Sequence, residues 1–244
     1  MHNPERSELE PLFSLERTDR TWWCLAVCLL FGALLIPLDI YFARELLPAS
    51  DSWKILKELP IISEFVGNGY AVILVLTAIA MADLRRRRFA LSTFLIVFGA
   101  GLATNLVKLM TVRIRPRDVD LSQIAGWQTF LGPWHLFDVS SHDLSFPSGH
   151  TTTAFALAYV LTRYYPRGRP IFLLMAVCAG VGRVVVQAHY PSDVVAGGVV
   201  GWGFAMIVSR YLLVEGAEPR TWFARFSRNR EPVGSSPRQP AATK

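Results

Sequence analysis

Three short stretches of the chain carry side chains whose types and spacing fit chemistry on an anion. Lys108 and Arg115 stand seven residues apart, and Pro116 follows. On a helix that spacing is two turns, which puts both cations on one face ~10.5 Å apart along the axis. Pro116 disfavours helical backbone at Arg115, so the helix is expected to end there, with a planar guanidinium fork at its tip. The second stretch is Pro147-Ser148-Gly149-His150, ahead of Thr151, Thr152, Thr153 and an apolar run. Pro and Gly mark a turn, Ser148 is a good helix cap, and the N–H groups at a helix start make an anion site. Capping explains Ser148 and Gly149 but not an ionisable His150. The third stretch is Gly182-Arg183, five residues, His189, three residues, Asp193. His189 to Asp193 reads as a turn and a helix start, with Pro191 near the first helical position and Asp193 in the first turn. A carboxylate that holds one imidazole nitrogen leaves the other aimed outward as nucleophile or base. Taken singly, each stretch has a plainer explanation: snorkelling cations, a helix cap, an interfacial histidine.

The elements that must position these residues are apolar. In 244 residues, 52% are hydrophobic and 18% charged, with a mean hydropathy of +0.32. Average globular chains carry roughly 25% charge, so a soluble domain is a poor fit, and the apolar content excludes disorder for most of the chain. The 25 Lys+Arg against 19 Asp+Glu give a net +6, a balance a nucleic-acid binder could share but not with this hydropathy. A spanning helix needs roughly 20 mostly apolar residues. Six candidates are present: Trp22–Phe42; Gly69–Ala82, short unless Ile61–Val66 adds a turn; Phe89–Leu109; His150–Tyr165; Ile171–Ala188; and Asp193–Val214. The expected fold is all-α, a polytopic six-transmembrane-helix bundle. Gly99, Gly101 and Ala103, and Gly197, Gly198 and Gly201, are expected to let helices approach closely. Cys24, Cys28 and Cys178 make no CxxC and are expected to be small buried side chains.

Charge sets the expected organisation. Residues 1–21 are polar, partly acidic and unlike a signal peptide, so they read as a cytoplasmic segment before a retained anchor helix. Residues 22–214 form the membrane domain, and 215–244, rich in Pro, Ser and Arg, read as a disordered basic cytoplasmic tail. Arg85, Arg86, Arg87 and Arg88, then Arg163, Arg167 and Arg169, then Arg220, Arg225, Arg228 and Arg230 fall on one side of the bundle, which the positive-inside pattern makes cytoplasmic. The loops Met110–Gly149 and His189–Ser192 are then extracytoplasmic. Yet that face holds Lys108, Arg113, Arg115, Arg117 and Arg183, and cations out of place near membrane depth point to a cavity or partner. In the long outer loop Trp127, Phe130, Trp134 and Phe137 suit an interfacial segment, and His135, His142, Asp118, Asp120, Asp138 and Asp143 read as solvated loop residues.

Lys108-x6-Arg115-Pro116, Pro147-Ser148-Gly149-His150 and Arg183-x5-His189-x3-Asp193 resemble the tripartite signature of the type 2 phosphatidic acid phosphatase and vanadium haloperoxidase superfamily. Order and internal spacing match over Lys108–Asp193, and Gly182 stands where the third motif usually has Ser. The resemblance implies that His189 attacks phosphorus to form a phosphohistidine and Asp193 orients it. It implies that His150 protonates the leaving oxygen and then activates water. Lys108, Arg115, Arg183, Ser148 and the Gly149 N–H would hold the phosphate oxygens. No metal or other cofactor is implied, since the cations take that part.

The expected function is therefore dephosphorylation of a membrane lipid phosphate or diphosphate at the outer face. Phosphatidate, phosphatidylglycerol phosphate, a polyprenyl diphosphate and a lipid A-type glycolipid all fit, because the motifs hold phosphate and not the tail. The expected partners are the lipid substrate and the bilayer, with no nucleic acid. Two alternatives share the scaffold: a lipid phosphotransferase, and a non-catalytic lipid-phosphate binding or transport protein. A binding protein needs no pair of nucleophile and orienting carboxylate, which weighs against the latter. A soluble-type haloperoxidase conflicts with the six apolar spans.

Overall fold

The fold is built around one half-polar helix that four others surround. The computed structural model describes residues 15–46, 59–82, 87–137 and 144–212. Its helices are α1 (Leu15–Leu35), α2 (Leu59–Gly67), α3 (Gly69–Ala82), α4 (Arg87–Thr111), α5 (Gly149–Tyr164), α6 (Arg169–Val185) and α7 (Pro191–Leu212). The expected N-terminal segment falls outside the described residues up to 14, and the expected tail does so entirely, as do Arg85, Arg86, Asp138, His142 and Asp143.

Helix α5 packs against α2, α4, α6 and α7. Its first turns carry Thr151, Thr152 and Thr153, all buried. Hydroxyls in such a place need partners, and Thr104 Oγ1 on α4 donates to Thr152 Oγ1 at 2.9 Å. Glycine brings α7 onto α5: a Cβ at Gly197 would lie 2.5 Å from the Ser148 carbonyl oxygen, and one at Gly201 would lie 2.2 Å from that of Thr152. Gly99 likewise admits the Phe204 ring, whereas Gly101 faces open space and serves no close approach. Below these contacts Ile96, Ala100, Ala156, Tyr159, Val160, Ala205 and Met206 form the apolar core between α4, α5 and α7.

Among the described residues, four stretches are long and apolar enough to cross a membrane: Thr21–Glu45, Arg87–Thr111, Pro166–Val185 and Pro191–Leu212. Of the other two expected spans, α3 has 14 residues and α5 has 16, half of them buried inside the bundle. A helix so enclosed by protein need not be long or greasy enough to span lipid alone. Long apolar helices and wide lipid-facing surfaces make this an all-α integral membrane protein. Cys24 and Cys28 are exposed, not buried, and Cys178 is half-buried. Helix α1 lies at the edge of the bundle against α7, so its outer face meets lipid rather than protein.

The end of α4 differs from the expectation set by Pro116. The helix stops at Thr111, and Val112 takes a left-handed backbone, φ 38°, with its side chain buried. A β-branched residue there costs about 1–3 kcal/mol and needs surroundings that impose it. They are the outer loop: Leu131 N–H donates to Val112 O at 2.8 Å, Ile114 N–H to Thr129 O at 3.1 Å, and Ser145 N–H to Arg113 O at 2.7 Å. Bridges of β type thus capture residues 113–114 before proline can act. Arg115 has extended backbone, φ −74° and ψ 153°, so it does not share a helical face with Lys108. The two cations approach one site around a bend.

Candidate active site

Helix α7 starts at Pro191, whose missing N–H costs nothing at a first helical position. That start places Asp193 in the first turn, fully buried. One carboxylate oxygen, Oδ2, accepts from the Tyr190 N–H at 2.8 Å and from the Ser145 hydroxyl; the other, Oδ1, accepts from the Arg113 guanidinium. His189 Nδ1 lies 3.7 Å from Asp193 Oδ2 and 3.4 Å from Ser145 Oγ. The imidazole therefore turns Nδ1 toward the carboxylate and Nε2 away from it. Burial pushes His189 down to about 4, Lys108 and Arg115 add to the effect, and Asp193 opposes it without prevailing. At neutral pH His189 is an uncharged imidazole, the form a nucleophile requires.

The three motifs meet here through the backbone as well as through charge. The Ser148 N–H donates to Asp193 O at 3.1 Å, tying the second motif to the third. Lys108 Nζ donates to Leu144 O at 2.7 Å, which holds the ammonium beside Ser145 and leaves it further donors. Ser148 is buried and caps α5, its hydroxyl accepting from the Thr151 hydroxyl at 2.9 Å and from the Thr151 N–H at 3.5 Å. Gly149 opens the helix, and a Cβ there would meet nothing within 4 Å. Its amide stands in the first turn, at the positive end of a helix. Arg115 acts electrostatically on both His150 and His189.

His150 and Arg183 share a partner that sequence reasoning missed. Arg183 NH1 donates to Glu64 Oε1 at 2.5 Å, and His150 Nε2 lies 3.4 Å from Glu64 Oε2. Nothing in the sequence around Glu64 marks it; α2 sets it there because Gly67 lets that helix rest on the His150 backbone. Arg183 Nε is buried and finds no acceptor among the described residues. Three more residues were missed. Ser145 has no local signature. In the sequence Arg113 stands out only as a cation on the face expected to be extracytoplasmic. Asp39 sits inside an apolar span, and that alone is a signal of function or pairing.

Around the site, Trp127, Trp134 and Phe137 are exposed, as expected of an interfacial loop. Phe130 is not: its ring covers Arg113, with the guanidinium carbon 4.3 Å from its centroid. His135 and Asp120 are exposed, and their hydrogen bonds are local, His135 Nδ1 to Leu131 O at 2.9 Å and Asp120 to Ser122.

Lipid A 1-phosphatase of Rhizobium johnstonii is 37% identical to this chain over 116 residues, 48% of this chain and 44% of that protein. Decaprenylphosphoryl-5-phosphoribose phosphatase of Mycobacterium tuberculosis is 32% identical over 140 residues, covering 57% and 70% respectively. The chain spans about half the length of the lipid A 1-phosphatases it matches. The crystal structure of a transmembrane PAP2 type phosphatidylglycerolphosphate phosphatase from Bacillus subtilis shares the fold, with a TM-score of 0.56 and 20% identity over 77% of this chain and 94% of that one. Residues 89–216, just over half of the chain and including all three motifs, match the PAP2 superfamily, and the chain belongs to it.

Proposed function

We propose that this protein is an integral-membrane phosphatase that removes phosphate from a lipid phosphate through a phosphohistidine on His189. The observation that carries the reading is a neutral, buried imidazole whose Nδ1 faces Asp193, within electrostatic reach of Lys108 and Arg115. In the first step His189 Nε2 bonds to phosphorus, the ester P–O bond breaks, and His150 gives the leaving oxygen a proton. In the second step His150 takes a proton from water, the water oxygen bonds to phosphorus, and the P–N bond breaks. Lys108, Arg115, Arg183 and the Gly149 amide stabilise the charge on the phosphoryl oxygens. Ser148 orders the start of α5 and offers its hydroxyl hydrogen to the same group. Vanadate, which mimics the phosphorus transition state, should inhibit.

The similarity to lipid A 1-phosphatases supports a glycolipid phosphate as the first substrate to try, with phosphatidate, phosphatidylglycerol phosphate and a polyprenyl diphosphate beside it. The site opens to the extracytoplasmic face, and both termini are cytoplasmic; the Arg163, Arg167 and Arg169 cluster at the opposite end of α5 supports that orientation.

The test is phosphate release from this lipid panel by the purified protein in detergent with EDTA, beside His189→Ala. Release by the wild type, with loss of turnover in the variant, is expected. Unchanged turnover in His189→Ala removes the nucleophile assignment, and no release from any lipid returns the site to anion binding. A reporter fused after Val214 checks orientation, and an extracytoplasmic signal overturns it.

A further inference from the structure

The part of the molecule that the proposed chemistry does not use, yet that is most completely organised, lies behind Asp193. Arg113 is fully buried, and every nitrogen of its guanidinium has an acceptor. Nε donates to Thr129 Oγ1 at 2.8 Å, NH1 to Ser192 Oγ at 2.8 Å and to Asp193, and NH2 to Asp39 Oδ2 at 2.7 Å. Phe130 and Tyr190 clamp its two faces, with centroids 4.3 and 4.1 Å from the guanidinium carbon. Asp39 is also fully buried; besides Arg113 it accepts from the hydroxyl of Ser192 and from its N–H, the latter at 3.1 Å.

Asp39 arrives from outside the family-matched residues. Pro37 breaks the helix that carries it: α1 passes into a 3-10 turn, Ile36–Leu38, and then a single turn, Asp39–Tyr41. The outer loop presses on that break, since a Cβ at Gly126 would lie 2.1 Å from Ile36 O. One turn further on, Ala43 O accepts from Gln187 Nε2 at 3.3 Å, two residues before His189.

We propose that Asp39 and Arg113 are positioning residues for the nucleophile: together they fix the Asp193 carboxylate that holds His189, so the helix preceding the matched residues completes the catalytic apparatus. The proposal rests on the reading of His189 as nucleophile. Its physical basis is geometric. Asp193 presents Oδ2 to His189 while Arg113 holds Oδ1, and the Tyr190 N–H and the Ser145 hydroxyl steady the Oδ2 side. A planar fork holds one orientation when both of its arms are engaged. Asp39 engages the second arm, and Ser192 bridges both. A buried ion pair kept only to fasten α1 would be a weak device, because well-packed apolar residues do that as well or better. Two carboxylates facing one guanidinium, with the second carboxylate four residues from the nucleophile, match an orienting role.

The test compares wild type with Asp39→Asn and Ser192→Ala in detergent. It uses the best-released lipid phosphate of the panel and normalises rates to monodisperse protein. Asp39→Asn should lower kcat about tenfold or more, equivalent to about 1.4 kcal/mol in the barrier, with KM within twofold because the side-chain partners of Asp39 are Arg113 and Ser192, which are not phosphate ligands. Ser192→Ala should lower kcat in the same sense with KM again unchanged. A destabilised protein whose kcat per folded molecule equals wild type overturns the proposal, as does a rise in KM at constant kcat. If Asp39→Asn does not fold, Ser192→Ala decides on the same criteria. Wild type without turnover on any lipid overturns the phosphatase reading itself, a failure distinct from full turnover in both variants.

Discussion

The depressed basicity of His189 predicts a loss of stability on acidification that belongs to one side chain. Free imidazole titrates near 6.5, and His189 in the fold is pushed down to about 4. The direction follows from three opposed influences. Burial and the two cations Lys108 and Arg115 disfavour the imidazolium, Asp193 favours it, and burial wins. Above pH 6.5 His189 is neutral whether the protein is folded or not, so it contributes no pH dependence there. As pH falls below 6.5 the unfolded chain takes up the proton and the folded one does not. Stability therefore declines until about pH 4, where both states are charged. Each pH unit in that window is worth about 1.4 kcal/mol, so the full loss is about 3 kcal/mol. At roughly 2–4 °C per kcal/mol for a chain of this length, the melting temperature shifts by about 6–12 °C. The assay is thermal unfolding in detergent from pH 8 to pH 4 for wild type and His189→Gln. Carboxylates titrate in both proteins and cancel in the comparison, so the wild type should lose more than the variant. Parallel curves refute the reasoning.

Three other outcomes follow from contacts at the site. Gly149→Ala should keep its fold, since the added methyl meets no protein atom within 4 Å, yet lose about tenfold or more in kcat/KM by crowding the helix-start amide. An active, stable variant would remove that amide from the phosphate site. Gly201→Ala should fail for the opposite reason: its methyl would lie 2.2 Å from Thr152 O, forcing α5 and α7 apart at a cost of about 1–3 kcal/mol, read as a lower melting temperature. Glu64→Gln should release Arg183 and His150 from a competing carboxylate. Vanadate should then inhibit more tightly, by about threefold or more on the scale of a part-exposed ion pair; unchanged or weaker inhibition would show that Glu64 does not compete with the anion.

The chemistry was legible where it is local. Ser148, Gly149 and His150, or His189 and Asp193, declare a cap, a turn and a helix start within a few residues, and the structure builds those elements there. What escaped was set by distant partners. Val112 ends α4 because residues 129–131 and 145 pair with its neighbours, and no helix-stop signal at that position encodes this. Glu64 reaches the site from a nine-residue helix without a motif. Asp39 was visible as an ionisable group in a span, but its partner, 74 positions away, was not. The expectation of six spans counted α5 among them, and apolar length alone does not reveal that its threonines belong to a protein interior.

The buried carboxylate of Asp39 also bears on how the protein is assembled. Its helix is made before every group that neutralises it: Arg113 follows by 74 residues and Ser192 by 153. Until then an acidic side chain sits in a segment that partitions into the bilayer, at an insertion cost of up to roughly 2.5–3.5 kcal/mol on translocon scales. That cost is recovered in part when Arg113 reaches the carboxylate and in full only when Ser192, at the start of α7, closes over it. The helix is thus inserted in a metastable form, and chains interrupted before residue 113, which lack the counter-ion, should be marked for quality control more strongly than those that already carry it.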